Sequence, residues 1–236
     1  MIYIIGDTHG ENSYWKMSNN YFAKQGLPKP TADDTLIHVG DLGFIWDLPN
    51  NITKTELYLK DWASQKPWTL LTAGGNHENW DRVLKLPLVP WPGGELAYKY
   101  TDNVFYAIRG GTYEIEGKTF FFIGGASSHD KQFRVENVSW WEDEIPSMKE
   151  MDQGVAALDE VNMEVDYVVT HTFPWEVINV LHHSTSTCPV ASYLNQLLRF
   201  GLKFKDWYGG HFHRDQTIDT RYGNFHCVYD KIIKIE

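Results

Sequence analysis

Five short apolar runs in this chain stop at a polar cluster of ligand type: Gly6-Asp7-Thr8-His9, Gly40-Asp41, Gly75-Asn76-His77, Thr170-His171 and Gly210-His211-Phe212-His213. Short apolar runs bounded by turn residues read as buried strands. Helical patterns alternate with them, which points to an α/β layered fold. In open α/β sheets, sites form outside the carboxyl ends of the strands, so these ends have one natural meeting place. Glycine in or beside most of the clusters permits a sharp turn and a close backbone approach to an ion.

The strand pattern predicts extended segments at Ile2–Ile5, Thr35–Val39, Trp68–Ala73, Val104–Ile108, Thr112–Ile115, Thr119–Ile123, Val165–Thr170, Phe204–Tyr208 and within Asn224–Ile235. Glu116-Gly117 reads as a hairpin turn. Helices are expected over Asn12–Gln25, closed by Gly26 and the prolines at 28 and 30, over Ile52–Gln65 with Thr53 near its start, and over Val190–Phe200. Leu86–Tyr100, rich in Pro, Gly and Trp, reads as irregular. No internal repeat, low-complexity tract or interdomain linker interrupts the pattern, so residues 1–236 read as one domain.

Composition narrows the partners. The net charge of −10, from 21 basic and 31 acidic residues, offers no general attraction for a polyphosphate backbone, and stable duplex nucleic-acid binding is not expected. A small phosphorylated substrate is compatible, because clustered cations reverse the potential locally. Two cysteines, Cys188 and Cys227, cannot staple a chain of 236 residues and read as buried small hydrophobes in a reducing compartment. Met1–Ile5 lacks the basic region and the length of a signal peptide. No apolar run approaches the roughly 20 residues of a membrane span. The expected location is the cytoplasm, without membrane association.

Singly, each cluster is a weak signal: a lone strand-end His171 usually serves structure, and Asn76 alone reads as a turn residue. His211 and His213 share a face on an extended segment, which is a stronger hint. The ordered combination is the informative feature. Imidazole and carboxylate donors suit Mn, Fe or Zn, whereas Ca or Mg favours an all-oxygen set. Neither cysteine lies in a cluster, so a closed structural zinc site is not expected.

With GDTHG (Gly6–Gly10), GDLG (Gly40–Gly43), GNHE (Gly75–Glu78), His171 in VVTHTFP and GHFH (Gly210–His213) in this order, the chain resembles the calcineurin-like metallophosphoesterase superfamily, in particular its bacterial and phage members. The resemblance implies a four-layer α/β/β/α sandwich with two divalent metal ions, Mn2+ foremost and Fe or Zn as alternatives, at the strand C-termini. Asp7, His9 and His213 would hold one metal, Asn76, His171 and His211 the other, with Asp41 bridging. It further implies a metal-bridged hydroxide as nucleophile, Asp41 and His77 as catalytic residues with His77 acting at the leaving oxygen, and Asn76 as a substrate contact. The protein Ser/Thr phosphatases extend their second motif as GDxVDRG. Here Gly40-Asp41-Leu42-Gly43-Phe44-Ile45-Trp46 lacks both the acidic and the Arg addition, which argues for another branch.

The stretch from about 124 to 147, GGASSHDKQFRVENVSWWEDEIPS, reads as an active-site insertion, resembling a D-K-x-x-R then S-W-W-x-x-E element of bacterial and phage relatives. Arg134 is its candidate phosphate clamp, since guanidinium binds phosphate oxygens bidentately; the competing reading is an ion pair with Glu142 or Glu144. Trp140 and Trp141 are candidates for stacking a base or aryl group, against core packing. His129, Asp130 and the His182-His183 pair are rim candidates. Arg82 is expected to bind surface carboxylates, and His38 and His226 to be structural. The expected function is hydrolysis of a phosphomonoester or small phosphodiester. The competing readings are a nucleotide or nucleic-acid phosphodiesterase and a non-catalytic scaffold of the same fold.

Overall fold

Along the first strand, β1 (Ile2–Ile5), Ile2 and Ile4 enter one buried cluster while Tyr3 and Ile5 enter another. Side chains alternate across a strand, so a run that is apolar at every position must be covered on both faces. That requirement generates the layered architecture. The computed structural model describes residues 1–92, 95–182 and 188–235.

The elements continue as α1 (Asn19–Lys24), β2 (Thr35–His38), α2 (Lys54–Ser64), β3 (Thr69–Thr72), α3 (Trp80–Val83), β4 (Leu88–Pro90), β5 (Leu96–Lys99), β6 (Val104–Ala107), β7 (Gly111–Ile115) and β8 (Lys118–Ile123). Then follow α4 (Met148–Glu160), β9 (Tyr167–Thr170), α5 (Trp175–His182), α6 (Pro189–Arg199), β10 (Asp206–Gly209), β11 (Gln216–Thr220), β12 (Gly223–Cys227) and β13 (Ile233–Ile235). One sheet has the order β13-β1-β2-β3-β6-β5-β4 and the other β11-β12-β10-β9-β8-β7. Strands β1, β2, β3 and β6 run parallel in the first sheet, as do β8, β9, β10 and β12 in the second.

Phe120 and Phe122 of β8 meet Ile2, Ile4, Ile37 and Leu71 between the sheets, whereas Phe121 and Ile123 face the cluster built with α4, α5 and α6. The outer face of the first sheet is covered by residues of α1, α2 and α3, including Phe22, Leu59 and Trp80. The result is the expected four-layer α/β/β/α sandwich. Both cysteines are buried, and no disulfide joins them. Among the described residues no helix is long and apolar enough to cross a membrane.

Several local expectations need correction. The helix expected over Asn12–Gln25 breaks into 3-10 turns at Gly10–Asn12 and Tyr14–Met17 followed by the short α1. Ser18 caps α1 by accepting from the Tyr21 amide at 3.3 Å, and serine and asparagine favour such local bonds over helix interiors. Leu86–Tyr100 is not irregular throughout: β4 and β5 pair antiparallel across it. Pro90 is tolerated because β4 is the last strand of its sheet, where a missing donor leaves no ladder bond unmade. Although β6 and β7 are consecutive, they belong to different sheets. Glu116 and Gly117 take φ of 50° and 72°, the hairpin turn expected there.

Helices α4 and α5 and strand β11 were not anticipated. The start of α4 does carry a readable signal: the Ser147 hydroxyl accepts from the Glu150 amide at 3.3 Å and the Glu150 carboxylate accepts from the Ser147 amide at 2.7 Å, a reciprocal capping box. Removing the hydroxyl in Ser147→Ala is expected to cost about 1 kcal/mol, seen as a lower urea midpoint at unchanged slope.

Candidate metal centre

The strands that carry the polar clusters lie side by side in each sheet. Asp7, Asp41 and Asn76 follow β1, β2 and β3, which are neighbours in the first sheet, and His171 and His211 follow the neighbouring β9 and β10 of the second. Parallel strands present their carboxyl ends on the same edge, so the loops converge there. The structure brings all seven side chains together.

Donor atoms of Asp7, His9 and His213 lie within 4.8 Å of one another, and so do those of Asp41, His171 and His211. Asp41 also forms such a group with His9 and His77, so its carboxylate stands between the two sides. Asp41 Oδ2 lies 3.2 Å from His171 Nε2 and 3.8 Å from His9 Nε2. Asn76 Oδ1 is 3.1 Å from His171 Nε2, and the Nε2 atoms of His9 and His213 are 2.9 Å apart.

Local backbone chemistry aims these groups. His9, Asp41, His211 and His213 have φ between 48° and 69°, an uncommon region for residues with a Cβ that is concentrated at functional sites. Asp41 Oδ1 accepts the His77 amide at 2.7 Å, and Asp7 Oδ2 accepts the His211 amide at 2.9 Å. Two glycines make room: a Cβ on Gly75 would sit 2.0 Å from Asp41 Oδ1, and one on Gly210 would sit 1.9 Å from Asp7 Oδ1. His171 Nδ1 donates to the Val39 carbonyl at 3.1 Å, which turns Nε2 toward Asp41 and Asn76.

Burial drives the protonation states. It pushes His9 down to about 4 and holds His211 and His213 below the ordinary imidazole range, so these rings are neutral with lone pairs free for a cation. Asp7 is pushed up to about 7 by its complete burial. At His171 burial acts downward, but the adjoining Asp41 carboxylate outweighs it and raises the ring to about 9. Burial alone would raise Asp41; His171 first, then His77 and His9, hold it well below the usual carboxylate range.

His77 projects to the outer side of this cluster. Its ring stacks on Trp46 with centroids 5.6 Å apart, and Trp46 is edged in turn by Trp141 at 5.1 Å. Arg134 Nη2 stands 3.2 Å from His77 Nε2. A guanidinium only donates, so Nε2 is the acceptor and His77 is neutral; burial, with Arg134 adding to it, lowers its basicity. Sequence reasoning left open what orients His77; Trp46 and Arg134 are the contacts that do. Beside His77 and His9 a cleft of about 420 Å³ opens, walled by Trp46, Asp47, Glu11 and Thr53.

Other expectations fare unevenly. The ion pair weighed for Arg134 with Glu142 or Glu144 is absent; Arg134 pairs with Asp130 at 2.8 Å, one turn away, and Glu144 pairs with Lys131 at 2.8 Å. Trp141 is buried in the core and unavailable for stacking a base, while Trp140 lies under the Lys131 ammonium. Arg82 binds a carboxylate as expected, but that of the buried Glu56 rather than a surface one. His38 is structural, accepting the Gly40 amide at 3.2 Å, and His226 pairs with Asp206. His129 is exposed with its ring 5.5 Å from that of His211. Of the His182-His183 pair, His183 lies outside the described residues, and the side chain of His182 is likewise not described. Lys16 and Tyr229 were not anticipated. The Lys16 ammonium donates to the Asp7 carbonyl at 3.0 Å and lies 3.6 Å above the Tyr229 ring, which stacks on His213 at 4.7 Å. A lysine inside a turn-forming stretch carries no sequence signal for that role.

A family model described as calcineurin-like phosphoesterase matches residues 1–215. The chain belongs to this family. It is therefore a hydrolase, of a family whose phosphoester hydrolysis is metal-dependent. No curated protein matches the phosphoesterase significantly. Solved structures are similar to it at low identity. GAP50, the anchor in the inner membrane complex of Plasmodium, is 14% identical with a TM-score of 0.51, covering 97% of this chain and 70% of that one. Phosphopantetheinyl hydrolase from Mycobacterium tuberculosis is 16% identical over 97% of this chain and 89% of its own, TM-score 0.47. A putative 5'-nucleotidase from Staphylococcus aureus, in complex with alpha-ketoglutarate, is 15% identical over 98% and 49%, TM-score 0.46.

The phosphoesterase's own atoms fit a cation centre. Asp7 Oδ1 is buried without a hydrogen-bond partner, an arrangement that costs roughly 1–3 kcal/mol unless something positive meets it. Two imidazole nitrogens facing each other at 2.9 Å are likewise suited to a shared neighbour that accepts lone pairs. If Asp7 and His171 hold a cation, their protons must leave before it binds. Raising the pH removes them in advance, so Mn2+ affinity is expected to climb from about pH 6 to about pH 8, with net proton release on binding. Calorimetry in buffers of differing ionisation heat checks this; flat or falling affinity contradicts it.

Proposed function

We propose that the protein hydrolyses a small phosphorylated substrate, a phosphomonoester or small phosphodiester, at two divalent cations, Mn2+ foremost with Fe or Zn as alternatives. Asp7, His9 and His213 would hold one cation, Asn76, His171 and His211 the other, and Asp41 would bridge. The observation that carries this reading is the Asp41 carboxylate, within reach of donors on both sides of the cluster. When bound, such a pair supplies Lewis-acid stabilisation of phosphoryl charge and a coordinated water of lowered pKa.

The chain's own residues supply the rest. Arg134 presents guanidinium N–H groups beside His77, suited to gripping phosphate oxygens in two places at once. His77, neutral and braced on Trp46, stands beside the centre, where its remaining ring N–H would hydrogen-bond the leaving oxygen and stabilise the negative charge that develops there. The cleft walled by Trp46, Glu11 and Asp47 would take the leaving group. Trp141 is buried, which removes one of the two aromatic residues on which a nucleic-acid phosphodiesterase reading depended. We assign residues 124–147 to the active site as an insertion, on account of Arg134, within one domain spanning 1–236.

Chelation is expected to abolish release of nitrophenol from aryl phosphate mono- and diesters, and Mn2+ to restore it. No activity with Mn, Fe, Zn or Ni on either ester class would overturn the proposal. Asp41→Asn should lose most of the activity together with one of two bound cations by elemental analysis. His77→Ala should keep both cations and lose about 10²–10⁴ in kcat, most for esters with poor leaving groups; loss of both metals from a folded His77→Ala protein would show His77 to be a ligand instead.

A further inference from the structure

Glu144 is a fully buried carboxylate that neither the cation ligands nor the leaving-group contacts explain. Burying such a charge is costly unless its lone pairs are all used. Its oxygens meet two groups of Ser128 and one of Lys131. Oε1 accepts the Ser128 amide at 2.8 Å and the Lys131 ammonium at 2.8 Å, and Oε2 accepts the Ser128 hydroxyl at 2.7 Å. Ser128 is itself buried, and its Oγ lies 3.0 Å from Nδ2 of Asn76. The other end of the Asn76 amide, Oδ1, lies 3.1 Å from His171 Nε2.

The chemistry of these groups runs in one direction only. A carboxylate accepts and cannot donate, so the single hydroxyl hydrogen of Ser128 is committed to Glu144. What Ser128 then offers to Asn76 is a lone pair, which only the NH2 end of the amide can meet. Oδ1 is left facing His171 and Asp41. The flipped amide would set two acceptors against each other at Ser128 and turn N–H groups toward the cation side. Asn76 is only 3% exposed, so water is not at hand to repair that arrangement. The start of the segment is fixed to the same strand end as Asn76: the Gly125 amide donates to the Gly74 carbonyl at 3.1 Å, and a Cβ on Gly125 would lie 2.2 Å from the Glu144 carbonyl oxygen.

We propose that Ser128 and Glu144 are positioning residues of the cation centre: Glu144 sets the direction of the Ser128 hydroxyl, and Ser128 holds Asn76 with its oxygen toward the cation shared with His171 and His211. The inference rests on the two-cation reading above. Partners that orient a metal ligand typically matter by about 10–100-fold in affinity.

The test titrates the full-length, metal-stripped protein with Mn2+ by calorimetry. Wild type should take up two cations. In Ser128→Ala one stepwise affinity should fall about 10–100-fold while the other moves little. Glu144→Gln, whose amide can donate to Ser128 as well as accept from it, should weaken the same step, and it serves as the deciding variant if Ser128→Ala does not fold. A second arm separates orientation from packing. In an Asn76→Asp background both terminal atoms are oxygens, there is no amide to orient, and adding Ser128→Ala should have little further effect. Unchanged binding in Ser128→Ala overturns the inference, as does an equal loss when Ser128→Ala is made in the wild type and in the Asn76→Asp background. A wild-type protein that binds fewer than two cations overturns the two-cation reading, and the inference with it.

Discussion

The centre depends on keeping the Asp41 carboxylate ionised in a place where water cannot reach it. Asp41 is 1% exposed, and an isolated buried carboxylate would take up a proton rather than stay charged. The His171 imidazolium and a backbone amide prevent that. The amide of His77 occupies Oδ1 at 2.7 Å, and His171 meets Oδ2 at 3.2 Å. Only a backbone without a Cβ at residue 75 can pass close enough to deliver that amide, since a Cβ there would lie 2.0 Å from Oδ1. The glycine of GNHE therefore acts on the carboxylate of GDLG, and the link between two motifs distant in sequence is steric before it is chemical.

The two-sheet architecture follows from the same need. Of the proposed ligands, Asp7, His9, Asp41 and Asn76 come from one sheet and His171, His211 and His213 from the other, so neither sheet would hold the whole set. Phe120, Phe122, Ile4 and Leu71 lock the sheets face to face, and that packing fixes the separation across which His171 meets Asp41. Close-packed interiors transmit strain and feel a change of even one methylene. Loss of volume in this layer would reach the site through the strand ends rather than through any residue that touches it.

The layered fold and the meeting of the seven side chains were legible because their cause is repetitive: buried parallel strands, each with a polar end. What escaped has causes that do not repeat. The pairing of β4 with β5 depends on an edge position that tolerates Pro90, and edge status is a property of the sheet, not of the segment. The Ser147–Glu150 capping box of α4 stands in the sequence as S-x-x-E. The partners of Arg134 and Glu144 were weighed in the wrong combination. Spacing offers Asp130 one turn before Arg134, but the fold of the intervening segment decides that Lys131, and not Arg134, reaches Glu144. Lys16 is harder still. Its ammonium finds the Asp7 carbonyl and the Tyr229 ring only because the stretch before α1 turns inward instead of continuing as a helix.

A chain of net charge −10 must still admit a phosphate. With Asp7 and Asp41 the only carboxylates in the proposed ligand set and the remaining donors neutral, two divalent cations would leave a positive surplus at the centre, and Arg134 would add to it. That surplus is local. Screening confines it to within about 8–10 Å at ordinary ionic strength, while Glu11 and Asp47 on the cleft wall oppose further negative charge. On the proposed reading a single phosphate group would gain the attraction of the centre, whereas a further phosphate in the cleft would meet Glu11 and Asp47. On that reading the electrostatics would favour a compact ester over a long polyanion, through the distribution of charge and not through its total.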